Sequence, residues 1–146
     1  MITVTLSLDT NAYTAGDVLA ATQEITGFEA DGGTQAYLQS LVVIDADDQK
    51  AAMDIYLLSA NVALGTENAA PNISDADAAH VLGMVSVAAA DYKDLGGVSV
   101  ATKTGIGLTV TQTAGAPGLW IAAVTQGTPT HSASGVKIRL GFVRAH

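Results

Sequence analysis

Cysteine is missing altogether from the 146 residues. That excludes disulfide bridges, thiolate zinc sites and cysteine nucleophiles, and it leaves the redox compartment open. Charge is scarce as well: 14% of residues are charged, against about 25% in ordinary soluble domains. Basic charge is scarcest of all. Lys50, Lys93, Lys103, Lys137, Arg139 and Arg144 stand against 14 Asp and Glu and leave a formal charge of −8. Nucleic-acid binding needs clustered cations to neutralise phosphate, and these six are scattered along the chain. No apolar run approaches the roughly 18 residues of a membrane helix. MITVTLSLDT lacks the basic-then-apolar order of a signal peptide. The expectation is a protein soluble when made, with neither nucleic acid nor membrane among its partners.

What is present is strand patterning. Leu38–Leu58 organises the rest: an apolar, β-branched run to Asp45, a polar turn at Ala46–Lys50, then alternation from Met53 in which Met53, Ile55 and Leu57 face one way. It reads as a β-hairpin. Ile2–Leu8 alternates apolar residues with Thr and Ser, and Val136–Val143 repeats the pattern, so both ends are expected to bury one face. Val18–Ile25, Met84–Ala89, Val98–Thr102, Ile106–Thr113 and Leu119–Gln126 supply further strands. Asp9–Asp17, Gly27–Gly33, Asp91–Gly97, Ala114–Gly118 and Gly127–Gly135 read as turns or loops. The longest irregular stretch is Ser59–Ile73, and loops of that length usually carry function or meet a partner. One helix is expected at 75–82, with Ser74 as N-cap and Gly83 as the C′ residue. Leu38–Ile44 and Leu119–Val124 are apolar on both faces, as central strands covered from two sides would be. About nine strands and one short helix predict an all-β fold, an antiparallel jelly-roll-like β-sandwich in which a single domain spans residues 1–146.

The chemistry-bearing residues form no recognisable constellation. Asp45, Asp47 and Asp48 could hold Ca²⁺, but they lack the glycine and terminal Glu of an EF-hand, and acidic turns need no metal. Asp75 and Asp77 suit the first turn of a helix. His80, His131 and His146 are the only histidines, and a hydrolytic histidine needs a positioned nucleophile and an orienting carboxylate. Ser132 and Ser134 beside His131 read as loop composition. Gly105-Ile106-Gly107 lacks the third glycine and the helix of a dinucleotide fingerprint. Asn72-Ile73-Ser74 is a glycosylation sequon without a secretory signal. Trp120 with Tyr13, Tyr37, Tyr56 and Tyr92 could build a sugar platform, but a mid-strand Trp120 is expected to fill the sandwich core. The residues thus predict no enzyme, no metal and no cofactor.

Ile2–Ala20 (ITVTLSLDTNAYTAGDVLA), Leu64–Ala69 (LGTENA) and Asp91–Gly107 (DYKDLGGVSVATKTGIG) resemble a group of small proteins encoded among bacteriophage structural genes. The resemblance runs over nearly the whole chain: an LSLDT start, a D-x-D-D-Q turn at Asp45–Gln49, the LGTENA loop, a D-x-D-A helix at Asp75–Ala78 and a GTPT loop at Gly127–Thr130. It implies a virion structural protein, foremost a capsid-decorating (cement) protein, assembled in the host cytoplasm and carried on the particle. The implied partners are copies of itself, with a trimer favoured, and the phage major capsid protein or other virion proteins. The alternative is a receptor- or carbohydrate-binding module of a head fibre, tail or baseplate. A low charge density agrees with surface meant to be covered by other subunits, and repeated weak contacts on a symmetric lattice sum to strong attachment. Subunit contacts are expected on a terminal strand and on the two long loops, Ala60–Asn72 and Gly127–Gly135, at Asn61, Leu64, Thr66, Asn68, Pro71, Thr128, Pro129 and His131.

Overall fold

The computed structural model describes residues 1–28, 35–113 and 118–144. Most of the expected Gly27–Gly33 loop, the 114–117 turn and His146 lie outside them.

Nine strands form two antiparallel sheets. β1 (Ile2–Thr5), β9 (Val136–Arg144), β3 (Gln35–Asp45), β7 (Ser99–Thr111) and β6 (Tyr92–Asp94) make a five-stranded sheet in that order. β2 (Val18–Glu24), β8 (Trp120–Thr125), β4 (Met53–Leu58) and β5 (Val81–Val87) make a four-stranded one. The pairings are nested: β1 with β9, β2 with β8, β3 with β7 and β4 with β5. A chain doubled back on itself and then rolled up gives that nesting, which is the jelly-roll sandwich the sequence predicts. Alternation decides the faces. Val4, Leu6 and Leu8 point into the core, as do Leu41, Val43, Ile55, Leu57, Ile121, Ile138 and Leu140.

Three readings change. Leu38–Leu58 is not a hairpin, because β3 belongs to one sheet and β4 to the other; residues 46–52 are a corner that crosses the sandwich. The helix α1 covers only Asp75–Ala78, with Ser74 Oγ accepting from the Asp77 N–H at 3.1 Å. Residues 81–83 instead lengthen the expected strand from Met84, which forms the rest of β5. There they gain a ladder with β4, Val81 opposite Leu58 and Gly83 opposite Leu57, more than a short exposed helix could return. The stretches 98–102 and 106–113 are one strand, not two. Gly105 (φ 66°) and Gly107 (φ 67°) form a bulge that shifts its register against β3 between Leu38 and Ser40. The short β6 was hidden in a segment read as a turn.

The outer face of the four-stranded sheet is covered by the chain itself. Val62, Leu64 and Ile73 of the 59–73 loop pack with Val18, Leu58, Ala122 and Val124. The loop is tied down by Val18 N–H to Ala69 O (2.9 Å), Asn68 N–H to Val18 O (2.8 Å) and Thr22 Oγ to Val62 O (2.6 Å). Trp120 joins this outer cluster, half-buried, and does not fill the core between the sheets. The two-sided apolarity of β8 therefore reports an intramolecular lid.

The sheet margins are also occupied. The Gln23 side chain accepts from the Ser7 N–H (3.2 Å) and donates to Thr5 O (2.9 Å), standing in for a strand partner along β1. Gln23→Ala is expected to cost about 1 kcal/mol and to speed hydrogen exchange of the Ser7 amide. Unchanged exchange there would show that water serves β1 as well as Gln23 does. At the opposite margin β5 packs against β7, and a Cβ at Gly83 would meet Leu108.

Candidate functional site

Four connections meet at one end of the sandwich: the 9–17 loop, the 46–52 corner, the 88–98 segment and the 126–135 loop. Two hydrogen-bonded clamps are built there and beside it.

The first clamp forms around Asp45. This buried carboxylate at the end of β3 curls back over the corner it precedes. It accepts from the backbone N–H of Asp47 (3.1 Å), Gln49 (2.8 Å) and Lys50 (2.9 Å). Those bonds hold Asp48 (φ 54°) and Lys50 (φ 52°) in the left-handed region, which non-glycine residues rarely occupy. Asp47 then reaches the 126–135 loop. Its carboxylate accepts from the Ser132 N–H (2.9 Å), from Ser132 Oγ (2.9 Å) and from His131 Nδ1 (3.2 Å). Gln49 Oε1 takes the Thr130 N–H (3.1 Å). Burial pushes the Asp47 carboxyl up, but the Ser132 and His131 donors outweigh it and hold the group below its ordinary value. An ionised carboxylate can only accept, so His131 Nδ1 carries the proton and donates. Its Nε2 is buried and has no hydrogen-bond partner among the described residues.

Ligand-type atoms of Asp45, Asp47 and His131 lie within 4.8 Å of one another. This is the one grouping of its kind among the described residues. Each carboxylate already accepts three donors, and the imidazole nitrogen facing them is occupied by its own proton. A cation would have to displace that proton and compete with five other N–H and O–H groups. The arrangement works chemically as a lock between a corner and a loop. Lys50 extends it, pairing with Asp48 (3.1 Å) and with Asp94 at the end of β6 (2.9 Å). The buried Tyr92 hydroxyl donates to Ala51 O at 3.0 Å, and burial raises its pKa.

The second clamp joins the 9–17 and 59–73 loops. The Asp9 N–H donates to Tyr13 Oη (2.8 Å) and Glu67 Oε1 (3.0 Å), and Asn68 Nδ2 donates to Asp9 Oδ2 (3.0 Å) and Ala12 O (3.2 Å). The Tyr13 hydroxyl donates to Leu19 O at 2.8 Å. Burial, with the nearby Glu67 and Asp9 charges, pushes that hydroxyl up to about 12. The Tyr13 N–H also donates to Pro129 O (3.0 Å), so the two clamps share the 126–135 loop. Glu67 is raised by partial burial and by the Asp9 charge. A carboxyl that binds its proton more tightly when folded adds stability below its unfolded pKa, and that contribution is lost as pH rises through the folded value. Glu67→Gln keeps the acceptor for the Asp9 N–H and removes the charge. The variant is expected to unfold at higher denaturant than wild type at pH 7 and to match it near pH 3, where both are neutral. Equal midpoints at both pH values would refute the raised Glu67.

The residues expected to meet other subunits divide. Leu64, Pro129 and His131 are buried by this chain's own atoms, which removes them from any surface. Asn68 is half-buried and engaged in the second clamp. Asn61, Thr66, Pro71 and Thr128 are exposed. Of the other histidines, His80 Nδ1 lies 3.1 Å from Ser59 Oγ, with no carboxylate bonded to that pair among the described residues. The partnership of Asp47 with His131, 84 positions apart, left no local sequence signal. Of the aromatic set, Tyr13 and Tyr92 are buried, Tyr37 lies on β3, and Tyr56 shares the outer side of the four-stranded sheet with Trp120. A pocket of about 300 Å³ opens there between Tyr56, Leu64, Pro71, Ile73 and Val81. Comparison with protein-family models, with curated proteins and with solved structures returns no match for this chain.

Proposed function

We propose that this protein is a bacteriophage virion structural protein, a capsid-decorating subunit that works by rigid shape and repeated contacts. One observation supports the reading above others. Four of the sequence motifs that resemble phage structural proteins meet in the two clamps. Asp9 of LSLDT meets Glu67 and Asn68 of LGTENA. Asp47 and Gln49 of the D-x-D-D-Q turn meet Thr130, at the end of GTPT, together with the His131 and Ser132 that follow it. Where these motifs meet they interlock loops on a jelly roll, the property a shell component needs. The decisive experiment is purification of virions from cells infected with the phage that encodes this chain. Stoichiometric co-sedimentation and repeated density on the head are expected; a chain found only in the lysate supernatant would overturn the proposal.

A second reading, a glycan- or receptor-binding module, draws on Tyr56, which lines an apolar pocket on the face where Trp120 also packs. Binding on a glycan array that is lost in Tyr56→Ala would favour it.

A further inference from the structure

The six basic residues, scattered in sequence, all fall on or beside the five-stranded sheet. Register puts three of them on its outer face. Lys137 lies opposite Ile44, which lies opposite Val100, which lies opposite Lys93; Arg139 lies opposite Val42, which lies opposite Thr102. Thr3, Thr5, Ser40 and Thr104 continue the same face. Among the described residues it carries no Asp or Glu, and none of Lys93, Lys137 and Arg139 has a carboxylate within ion-pair reach. All three are exposed, and Val42, Ile44 and Val100 between them are half-exposed. On a chain of charge −8 this is a cationic, partly apolar plate.

The opposite side has the reverse sign. Glu24 and Asp54 lie on the outer face of the four-stranded sheet, paired in register with Trp120 and Val124. The covering segment adds Glu67, Asp75 and Asp77. No Lys or Arg occurs anywhere from Ala51 to Tyr92, nor before Lys50. Met84, 47% exposed and opposite Tyr56, gives this side apolar contact area too.

We propose that copies of this chain associate head to tail, the cationic outer face of the five-stranded sheet of one copy docking on the acidic outer side of the four-stranded sheet of the next. The partner is a second copy because the chain carries both complementary surfaces on opposite sides of one rigid sandwich. Contact between two different patches is heterologous, and it closes into a ring or grows as a row according to the rotation between copies. This rests on the reading of the chain as an assembling subunit and names the faces it would use. The net charge of −8 opposes approach at low salt. At about 0.15 M salt the screening length is about 8 Å, so long-range repulsion fades while contact pairs survive. Near 1 M salt the pairs are screened as well. Association is therefore strongest at intermediate salt.

The test is sedimentation velocity on the full chain from micromolar to millimolar concentration across that salt range. Wild type is expected to gain mass with concentration, most at intermediate salt. Lys137→Glu with Arg139→Glu should weaken association roughly tenfold or more, and so should Glu24→Lys with Asp75→Lys. All four positions are exposed, and an unchanged unfolding midpoint verifies that each variant is folded. Mixing the two double variants should restore association, since their reversed faces match. The Lys137/Arg139 variant added to wild type should shorten its oligomers, because it can accept a neighbour but not offer one. A monomer under every condition overturns the inference, including the case where the cationic face binds a DNA duplex instead. So does undiminished association of both variants, or a strict one-to-one pair between wild type and the Lys137/Arg139 variant, which would mean that this face pairs with itself. A monomer that still sediments with virions leaves the capsid role standing; oligomers that never sediment with virions do the reverse.

Discussion

Asp45→Ala is expected to lower the unfolding free energy by about 4 kcal/mol, one of the largest losses available to a single polar substitution in this chain. The carboxylate is 1% exposed and accepts three backbone N–H groups. Alanine would leave those donors facing a cavity, each unsatisfied buried donor costing about 1–3 kcal/mol. The same bonds compensate the left-handed backbone at Asp48 and Lys50, so the corner loses its shape along with its acceptor. The damage should spread. Lys50 would no longer be aimed at Asp94, and Asp47 would no longer be presented to Ser132 and His131. Asp45→Asn, which keeps one acceptor oxygen, should lose about half as much. Urea unfolding at pH 7 reads the difference as a shifted midpoint with unchanged slope. A loss under about 1 kcal/mol would mean that water replaces the carboxylate and the corner is self-supporting.

The strand pattern made most of this architecture legible. Thr3, Thr5 and Ser7 against Val4, Leu6 and Leu8, and Lys137 and Arg139 against Val136, Ile138 and Leu140, announce one buried and one exposed face, and the structure agrees residue by residue. The same alternation already put Lys137 and Arg139 side by side on the exposed face, although a count along the chain called the cations scattered. Sheet membership was less legible. A mostly polar run between two strands, Ala46–Lys50, suits a hairpin and a sheet-crossing corner equally. The choice between them is made by Asp45 turning its side chain back on its own corner, which no local propensity encodes. At 75–82 a helical pattern ran into β-branched Val81, and pairing with β4 prevailed there. The long 59–73 loop looked like surface for a partner because of its length and its lack of strand or helix patterning. Val62, Leu64 and Ile73 converge only once β2, β4 and β8 form the sheet beneath them. The clamps were invisible for the same reason: Asp9 with Glu67, and Asp47 with His131, join positions that folding alone brings together.

Gly135→Ala tests the interlock from its other side. In the sequence this glycine ends a polar loop, where alanine is normally harmless, and its backbone is not left-handed, so conformational freedom does not explain it. Its surroundings do. A Cβ at Gly135 would overlap the Asp47 carboxylate, with Cγ at 2.6 Å and Ser132 Oγ at 2.8 Å. Neither neighbour can retreat cheaply, since the carboxylate is fixed by Ser132 and His131 and the hydroxyl donates to it. The expected loss is about 3 kcal/mol, part steric and part broken hydrogen bonds. Two other glycines calibrate it. At Gly83 the new methyl would press only on the flexible end of Leu108, which can rotate away, so about 1 kcal/mol or less is expected. At Gly105 there is open space but φ is +66°, and the left-handed backbone alone costs about 1–2 kcal/mol. The mechanism is separated from general loop damage by a double-mutant cycle. In an Asp47→Ala background the methyl has more room, so Gly135→Ala should cost only about 1 kcal/mol, and the double variant should lose about 2 kcal/mol less than the sum of the two single losses. Strict additivity would show that Gly135 does something other than leave space for Asp47, and the clamp would then be a consequence of the loop's shape and not its cause.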